Sequence, residues 1–189
     1  MLDFNRVPLT RFSILITTGT IFFGPLYSET HYSWVTNTIS QLGAQSTKNN
    51  WIMVVGFLSL GIGLVMDTIR FRAKRMIPFG FFGLFFALAG CFPHQAWIEG
   101  RTSSESVHLV HQIMANLSGV AITIGHIIIG VTADTKKEKM VSFFLASTCI
   151  VLPLAMFTFS DYTGVIQRVM YGASFVWLWK KGFQLYFKF

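Results

Sequence analysis

Charge is what this chain has least of. Asp, Glu, Lys and Arg make up only 12% of its 189 residues, about half of what a soluble domain uses to cover its surface. That shortage excludes ordinary soluble enzymes and DNA-binding modules, even though the net charge is +7 and the pI is near 9.7. The high apolar content excludes intrinsic disorder. The two cysteines are too few for a disulfide framework. Cys149 falls near the middle of one apolar run and Cys91 near the end of another, so the two are expected at different depths, as buried small apolar residues. Only five prolines are present, with no long linker, low-complexity tract or clear repeat, and the whole of 1–189 reads as one domain. The chain also lacks a Walker loop, a G-x-S-x-G elbow, an H-E-x-x-H pair and a CxxC pair, so no soluble-enzyme motif survives inspection.

Apolar residues take the place of charge. The sequence is 52% hydrophobic with 20 Phe and 16 Gly, and its mean hydropathy is +0.54. A membrane-crossing helix needs about 20 mostly apolar residues, because the hydrocarbon core is about 30 Å thick and a helix rises about 1.5 Å per residue. Six stretches qualify, at about residues 7–27, 51–69, 76–92, 107–133, 140–159 and 164–179. None alternates with the period of a membrane barrel, and the fold class is therefore all-α, an integral membrane bundle of six transmembrane helices. Arg6 and Arg11 precede the first run as they would in a signal peptide. Its end, Gly24-Pro25-Leu26-Tyr27-Ser28, lacks a small-x-small cleavage signal, and a retained helix is expected.

The basic residues are unevenly placed. Arg6 and Arg11, Arg70, Arg72, Lys74 and Arg75, Lys136, Lys137 and Lys139, and Lys180, Lys181 and Lys188 all fall on one side of a six-span topology, leaving Lys48, Arg101 and Arg168 on the other. Both termini should then be cytoplasmic, in a plasma or inner cell membrane, and the basic excess reads as topology and not as a nucleic-acid footprint. Membrane lipids are the expected partners, and no nucleic acid is.

On the outward side fall His31, His94, His108 and His111, with Glu29, Glu99, Glu105 and Asp161. Residues 28–50 form a long first loop with Tyr32, Trp34, Val35 and Ile39 interleaved among polar residues, and it is expected to fold over the bundle. Trp34, Trp51 and Trp97 are placed as an outer aromatic belt. His108 and His111 share a helix face, and His94, just after Pro93, reaches the same place. Three imidazoles with Asp161 or Glu105 would suit zinc, although the spacing is not a zinc signature and histidines hydrogen-bonded in a wet interfacial cap are the commoner arrangement. No motif calls for a cofactor; zinc is the one this donor set would suit. Ser40 is a candidate nucleophile, or else a turn residue before Gly43.

Inside the spans, His126 shares a helix with Asn116, Ser118 and Thr123, a polar seam expected to hydrogen-bond between helices. Asp67 and Arg70 are spaced for a local ion pair. Arg168, the lone outward Arg inside an apolar run, wants an acidic partner such as Asp161 or a phosphate-bearing ligand. Glycines in the second, third and fourth spans let helices approach closely, and Pro153 should kink the fifth.

Four short segments, Thr38-Ile39-Ser40-Gln41-Leu42-Gly43-Ala44, Gly90-Cys91-Phe92-Pro93, His111 and Gly164-Val165-Ile166-Gln167-Arg168, occur in an order that resembles the bacterial and archaeal multi-pass membrane family called domain of unknown function 998. The resemblance covers nearly the whole chain and implies a six-helix membrane protein without an established activity. Where that family often has an acidic residue after Phe-Pro, this chain has His94 and Gln95. The residue types His94, His108, His111, Asp161 and Ser40 are also similar to the zinc site of the alkaline ceramidase and adiponectin-receptor superfamily, though the H-x-x-x-H pair is missing and one span is lacking. Together these readings point to an outward polar pocket that binds, senses or transports a lipid-like or small amphipathic ligand through His94, His111, Gln167 and Arg168. The alternative is a zinc-dependent intramembrane hydrolase with His108, His111, Ser40 and Asp161 as catalytic candidates and His94 among the metal ligands.

Overall fold

A computed structural model describes residues 7–182. Seven α-helices appear, with no strand among the described residues: α1 (Leu9–Phe23), α2 (Ile39–Leu42), α3 (Trp51–Phe71), α4 (Ile77–Cys91), α5 (Glu105–Thr132), α6 (Lys136–Thr158) and α7 (Thr163–Trp177). Local chemistry sets their ends. Ser104 and Thr135 accept from the amides of Val107 and Glu138 and so cap α5 and α6. Pro78 sits in the first turn of α4, where its missing N–H costs nothing. Arg72 takes a left-handed conformation, φ 49°, and ends α3.

Five helices are long and apolar enough to cross a membrane: α3, α5, α6, α1 with its following turn (Leu9–Tyr27) and α4 with its preceding turn (Lys74–Cys91). The sixth expected span differs. There α7 has only 15 residues, about 22 Å of helix at 1.5 Å per residue, and a π turn, Leu178–Gly182, continues it. Each helix packs on the next from α1 through α3, α4, α5 and α6 to α7, and the π turn comes back to α1.

The core is built on α4. Phe79, Phe82 and Phe86 are essentially fully buried. Their rings meet Phe57 of α3 at 4.6 Å, Tyr171 of α7 at 5.5 Å and Trp177 at 5.2 Å between centroids, which joins opposite sides of the ring of helices through aromatic contacts. Large apolar side chains also cover the outside: Phe157 is 86% exposed and Phe144 67%. A water-soluble surface would not carry so much apolar area, whereas hydrocarbon is a good solvent for it. Close approach of α3 and α4 depends on Gly61 and Gly83. A Cβ on Gly61 would collide with the Gly83 carbonyl and Ala87, and one on Gly83 would lie 2.7 Å from Leu64 Cβ.

Two interior expectations change. Asp67 is fully buried and does not pair with Arg70; its carboxylate accepts from Leu9 N at 3.0 Å, Thr10 N at 2.8 Å and Thr10 Oγ1 at 2.7 Å. An anion at the N-terminus of α1 meets the orphan amides and the positive end of the helix dipole at once, a stronger interaction than an exposed i,i+3 pair. Arg70 instead lays its guanidinium over Phe71 at 5.0 Å. Of the two unpaired cysteines, Cys149 is buried as expected, whereas Cys91 is exposed.

The Asp67 contacts, together with Arg11 Nη2 donating to the Trp179 carbonyl at 3.4 Å, bring the start of α1, the end of α3 and the end of α7 to one end of the bundle. Arg75, Lys137 and Lys181 line one cavity at that same end. The basic segments are therefore neighbours in space; Arg6 and Lys188, at the termini, lie outside the described residues.

Replacing Asp67 with Ala takes the acceptor from the amides of Leu9 and Thr10 in a buried site, and we expect Asp67→Ala to lose more than about 2 kcal/mol. Asp67→Asn, which keeps an acceptor oxygen, should lose distinctly less. Thermal melting in detergent measures both, and equal losses would show that charge alone holds α1.

Candidate functional site

The end opposite the basic cluster is closed by residues 28–50. Within that segment α2 carries a capping box: Thr38 Oγ1 accepts from Gln41 N while Gln41 Oε1 accepts from Thr38 N at 2.8 Å. Ile39, Leu42 and Ala44 beneath it are buried, so the loop does fold over the bundle. Gln45 pins it laterally, its amide accepting from Ser104 N at 2.8 Å and donating to the carbonyls of Pro93 and Ser104, and Trp97 Nε1 donates to the Gln41 carbonyl at 2.9 Å.

Arg168 holds the cap to α7. Its Nη1 donates to the carbonyls of Asn37 (2.8 Å), Gly164 (3.0 Å) and Trp34 (3.1 Å), and Nη2 donates to Tyr32 Oη at 2.6 Å. The guanidinium also sits 5.2 Å from the Trp34 ring centroid and 5.8 Å from that of Tyr32. Burial keeps the Tyr32 hydroxyl pKa above its usual value in spite of the adjacent Arg168, so Oη remains a donor, to the Thr38 carbonyl at 2.9 Å. Asp161, the expected partner of Arg168, is exposed in the turn before α7, and no ion pair joins the two among the described residues. Four oriented acceptors replace one carboxylate. Beside Arg168, Gly164 N donates to the Val35 carbonyl at 2.9 Å, and a Cβ at Gly164 would fall 2.5 Å from the carbonyls of Trp34 and Asn37. Trp34 and Trp97 are thus pins of the cap, with Trp34 also 5.3 Å from Phe22; of the three belt tryptophans, Trp51 alone is exposed.

The expected histidines converge, with His94 4.4 Å from His108 and 5.5 Å from His111 between ring centroids. Their hydrogen bonds fix what they can do. His111, 3% exposed, places Nδ1 2.8 Å from the carbonyls of both Ala89 and Phe92, and carbonyls only accept, so Nδ1 carries the proton. His94 Nδ1 faces the Gln95 carbonyl at 2.9 Å on the same logic. His108 is opposite: Nδ1 accepts from Gln95 N at 3.1 Å, and Nε2 lies 3.0 Å from the Gln112 amide. The cluster therefore offers two free lone pairs, on Nε2 of His94 and of His111. Among the described residues no group of three or more His, Cys, Asp or Glu is placed to hold a metal ion, and no hydrogen bond joins Ser40 to a histidine. Burial, helped by His108 and His111, lowers the His94 pKa to about 4 against the pull of the Gln95 carbonyl, so His94 is neutral at pH 7.

A cavity of about 750 Å³ lies elsewhere, between α5, α6 and α7. Its apolar walls include Phe82, Ile122, Ile150 and Met170, and its polar lining includes Asn116, Gln167 and Thr163. Gln167 Oε1 accepts from Ile39 N, the first amide of α2, at 2.7 Å, and Thr163 Oγ1 donates to the Thr36 carbonyl, so the cavity abuts the cap. Ser118 and Thr123 bond back to their own helix, and His126 lies between the rings of Phe79 and Trp177 with both nitrogens unpartnered. The expected helix-to-helix polar seam is therefore not formed among the described residues. In its place the cavity receives unspent donors: neither the Asn116 amide nor Gln167 Nε2 has a partner there. Pro153, which also lines it, has no N–H for the Cys149 carbonyl one turn earlier.

Of the sequence candidates, Gln167 and Arg168 meet the cap, His94, His108 and His111 meet one another, and Asp161 and Ser40 join neither group. The sequence reading placed Tyr32 in the folded-over loop and Trp97 in an aromatic belt but missed their bonds to Arg168 and Gln41, and it missed Gln45 altogether, because these partners are distant in the chain. The Thr38-x-x-Gln41 box was a legible signal of α2. The family described as "Protein of unknown function (DUF998)" matches residues 14–179, and the chain belongs to that family. No curated protein and no solved structure matches the chain.

Because Arg168 serves four acceptors in fixed directions, Arg168→Lys should lower stability in detergent nearly as much as Arg168→Ala, each by about 2–3 kcal/mol. A Lys variant equal to the parent would mean that charge alone suffices. His94 yields a pH dependence. An unfolded His binds its proton near pH 6.5 whereas folded His94 does so near 4, so the unfolded chain takes up the extra proton between those values. Stability should fall as pH drops through that window and level off below it, and His94→Gln should make the curve shallower by the share that His94 contributes.

Proposed function

We propose that this member of the family binds a lipid-like or small amphipathic molecule in the cleft between α5, α6 and α7, entered from the bilayer with the polar head toward the cap. The observation that carries this reading is the pair of amides, exposed Asn116 and half-buried Gln167, in a cleft lined mainly by apolar side chains. In hydrocarbon an unpaired amide costs several kcal/mol, and a ligand carrying hydroxyls or carbonyls removes that cost. The apolar walls by themselves give little selectivity, because lipid tails outside are as apolar as those within. Discrimination therefore comes from the amides, and binding, sensing or transport of such a molecule all begin with this step. His94, His111 and Arg168 act in this reading as supports of the cap over the cleft mouth, with Gln167 as the residue shared by cap and ligand. Zinc-dependent hydrolysis has the closeness of the three rings in its favour but needs a third free nitrogen, and the His108 ring is already engaged by Gln95 and Gln112.

In this reading α7 with its π turn completes a sixth crossing, and the basic end faces the cytoplasm of the cell membrane, since Lys and Arg are retained on that side. The capped end then faces outward.

Gly119 provides the test. It lines the cleft, and a Cβ there meets nothing within 4 Å, so a side chain at this position enters the open cleft and Gly119→Leu is expected to fill it. With a dansyl-labelled fatty acid as probe, Gly119→Leu and Asn116→Leu should each weaken binding about tenfold, the worth of one good hydrogen bond, while the melting temperature stays at or above the parent's. Unchanged binding in both variants would refute the cleft as the site.

A further inference from the structure

A second cavity, of about 350 Å³, opens at the basic end of the bundle, away from the cap. Arg75, Lys137 and Lys181 stand at its rim and Ile129, Val141 and Trp177 form its apolar wall. The cap and first turns of α6 line it, through Thr135, Lys137, Glu138 and Ser142. Thr135 caps that 23-residue helix by accepting from Glu138 N at 3.2 Å, which leaves the amides of Lys136 and Lys137 to be satisfied from outside the helix. Acidic groups are present as well. Glu138 is held by Lys181 at 2.8 Å, and Asp134 lies on the rim. Arg75 and Lys137, both exposed, make no ion pair among the described residues.

An independent observation comes from deeper in the same cavity. Ser142 lines it, is 1% exposed, and its Oγ is buried without a hydrogen-bond partner. A hydroxyl has the choice of bonding back to its own helix, as Ser147 and Thr148 do a turn later; Ser142 does not. It lies seven residues beyond the Thr135 cap, about 10 Å along α6. The cavity is thus graded from two unpaired cations and free helix amides at the mouth, to a lone hydroxyl, to an apolar wall.

We propose that this cavity is a binding site for the phosphate-bearing headgroup of an anionic membrane lipid. The phosphate sits at the N-terminus of α6 between Arg75 and Lys137, the Ser142 hydroxyl donates to an ester carbonyl of the glycerol backbone, and the start of the acyl chain lies along Val141 and Trp177. A helix N-terminus and two cations favour an anion for the same electrostatic reason, and the pocket lies where anionic headgroups of a leaflet are found. The lipid is preferred over a free phosphate because only a lipid uses the whole gradient. This site is separate from the cleft proposed for the amphipathic ligand and stands or falls independently of it.

The test uses the full chain in neutral detergent, titrated with dioleoylphosphatidylglycerol, with dioleoylphosphatidylcholine and with soluble glycerol 3-phosphate, and read by native mass spectrometry. Phosphatidylglycerol should bind at least about tenfold more tightly than either of the others. Removing two cations with Arg75→Gln and Lys137→Gln together should weaken it about 30-fold, at about fivefold for each. Arg72→Gln with Lys74→Gln removes the same charge at the same end outside the cavity and should change binding less than about threefold. Ser142→Ala should weaken binding about fivefold without lowering the melting temperature, since the hydroxyl has no partner within the protein. Equal losses from the two double variants would reduce the effect to bulk attraction and overturn the proposal. So would binding of phosphatidylcholine as tight as that of phosphatidylglycerol. Glycerol 3-phosphate binding as tightly as the lipid would overturn the lipid assignment in favour of a soluble phosphate ester. The Gly119→Leu variant, which fills the other cleft, should leave all of these values unchanged.

Discussion

A backbone amide or carbonyl at membrane depth has no water to fall back on, and every break in a helix there must be answered by a side chain. The described structure answers its breaks with a few buried polar residues. Asp67 satisfies the first amides of α1, His111 donates to the two carbonyls left where α4 gives out before Pro93, Gln167 takes the first amide of α2, and Arg168 collects the carbonyls of the turn between Trp34 and Asn37. Without these four, the apolar packing around Phe79, Phe82 and Phe86 would still attract the helices, but their ends would carry unpaired groups.

The same constraint explains the segments on which the family resemblance rests. They come in contacting pairs. Residues 38–44 form α2, whose start is tied to Gln167 of the segment 164–168, and the last turn of α4 with Phe92 is tied to His111. Gly164 belongs to the first pair because three carbonyls of the cap approach where its side chain would be. Each segment is short and chemically unremarkable alone, and its composition becomes intelligible when its partner is in view.

Separating the cap from the cleft has a functional consequence. Most polar residues of the cap spend their hydrogen bonds on one another, which makes a lid, although Ser28 Oγ, Thr47 Oγ1 and Arg168 Nε are buried without partners; even the close histidines are mostly engaged by carbonyls and amides. Between the helices, Ser142 Oγ near the basic end and both His126 nitrogens are buried without partners, and the Asn116 and Gln167 amides line the open cleft. Groups of this kind are where a molecule from the bilayer finds partners that bulk lipid does not provide.

The sequence by itself determined the solvent, the helical class, the positions of the long apolar helices and the clustering of positive charge, because these depend on composition and on runs of local residues. It also located the folded-over loop, through Ile39 and its apolar neighbours, and brought the three histidines to one place, since helix spacing and a proline stop are local facts. Tertiary structure decided the partners. Asp67 has Arg70 three residues away but binds the start of α1, 57 residues distant at Thr10, and Arg168 has Asp161 nearby in the chain but binds carbonyls some 130 residues away. A charged side chain near an ion of opposite sign reads as a pair when only the chain is known. Once the helices are packed, unsatisfied backbone groups compete for it and win, because a buried orphan costs more than an exposed ion pair returns. The cleft was equally beyond sequence, for an amide on one helix signals a site only when packing leaves it without a neighbour.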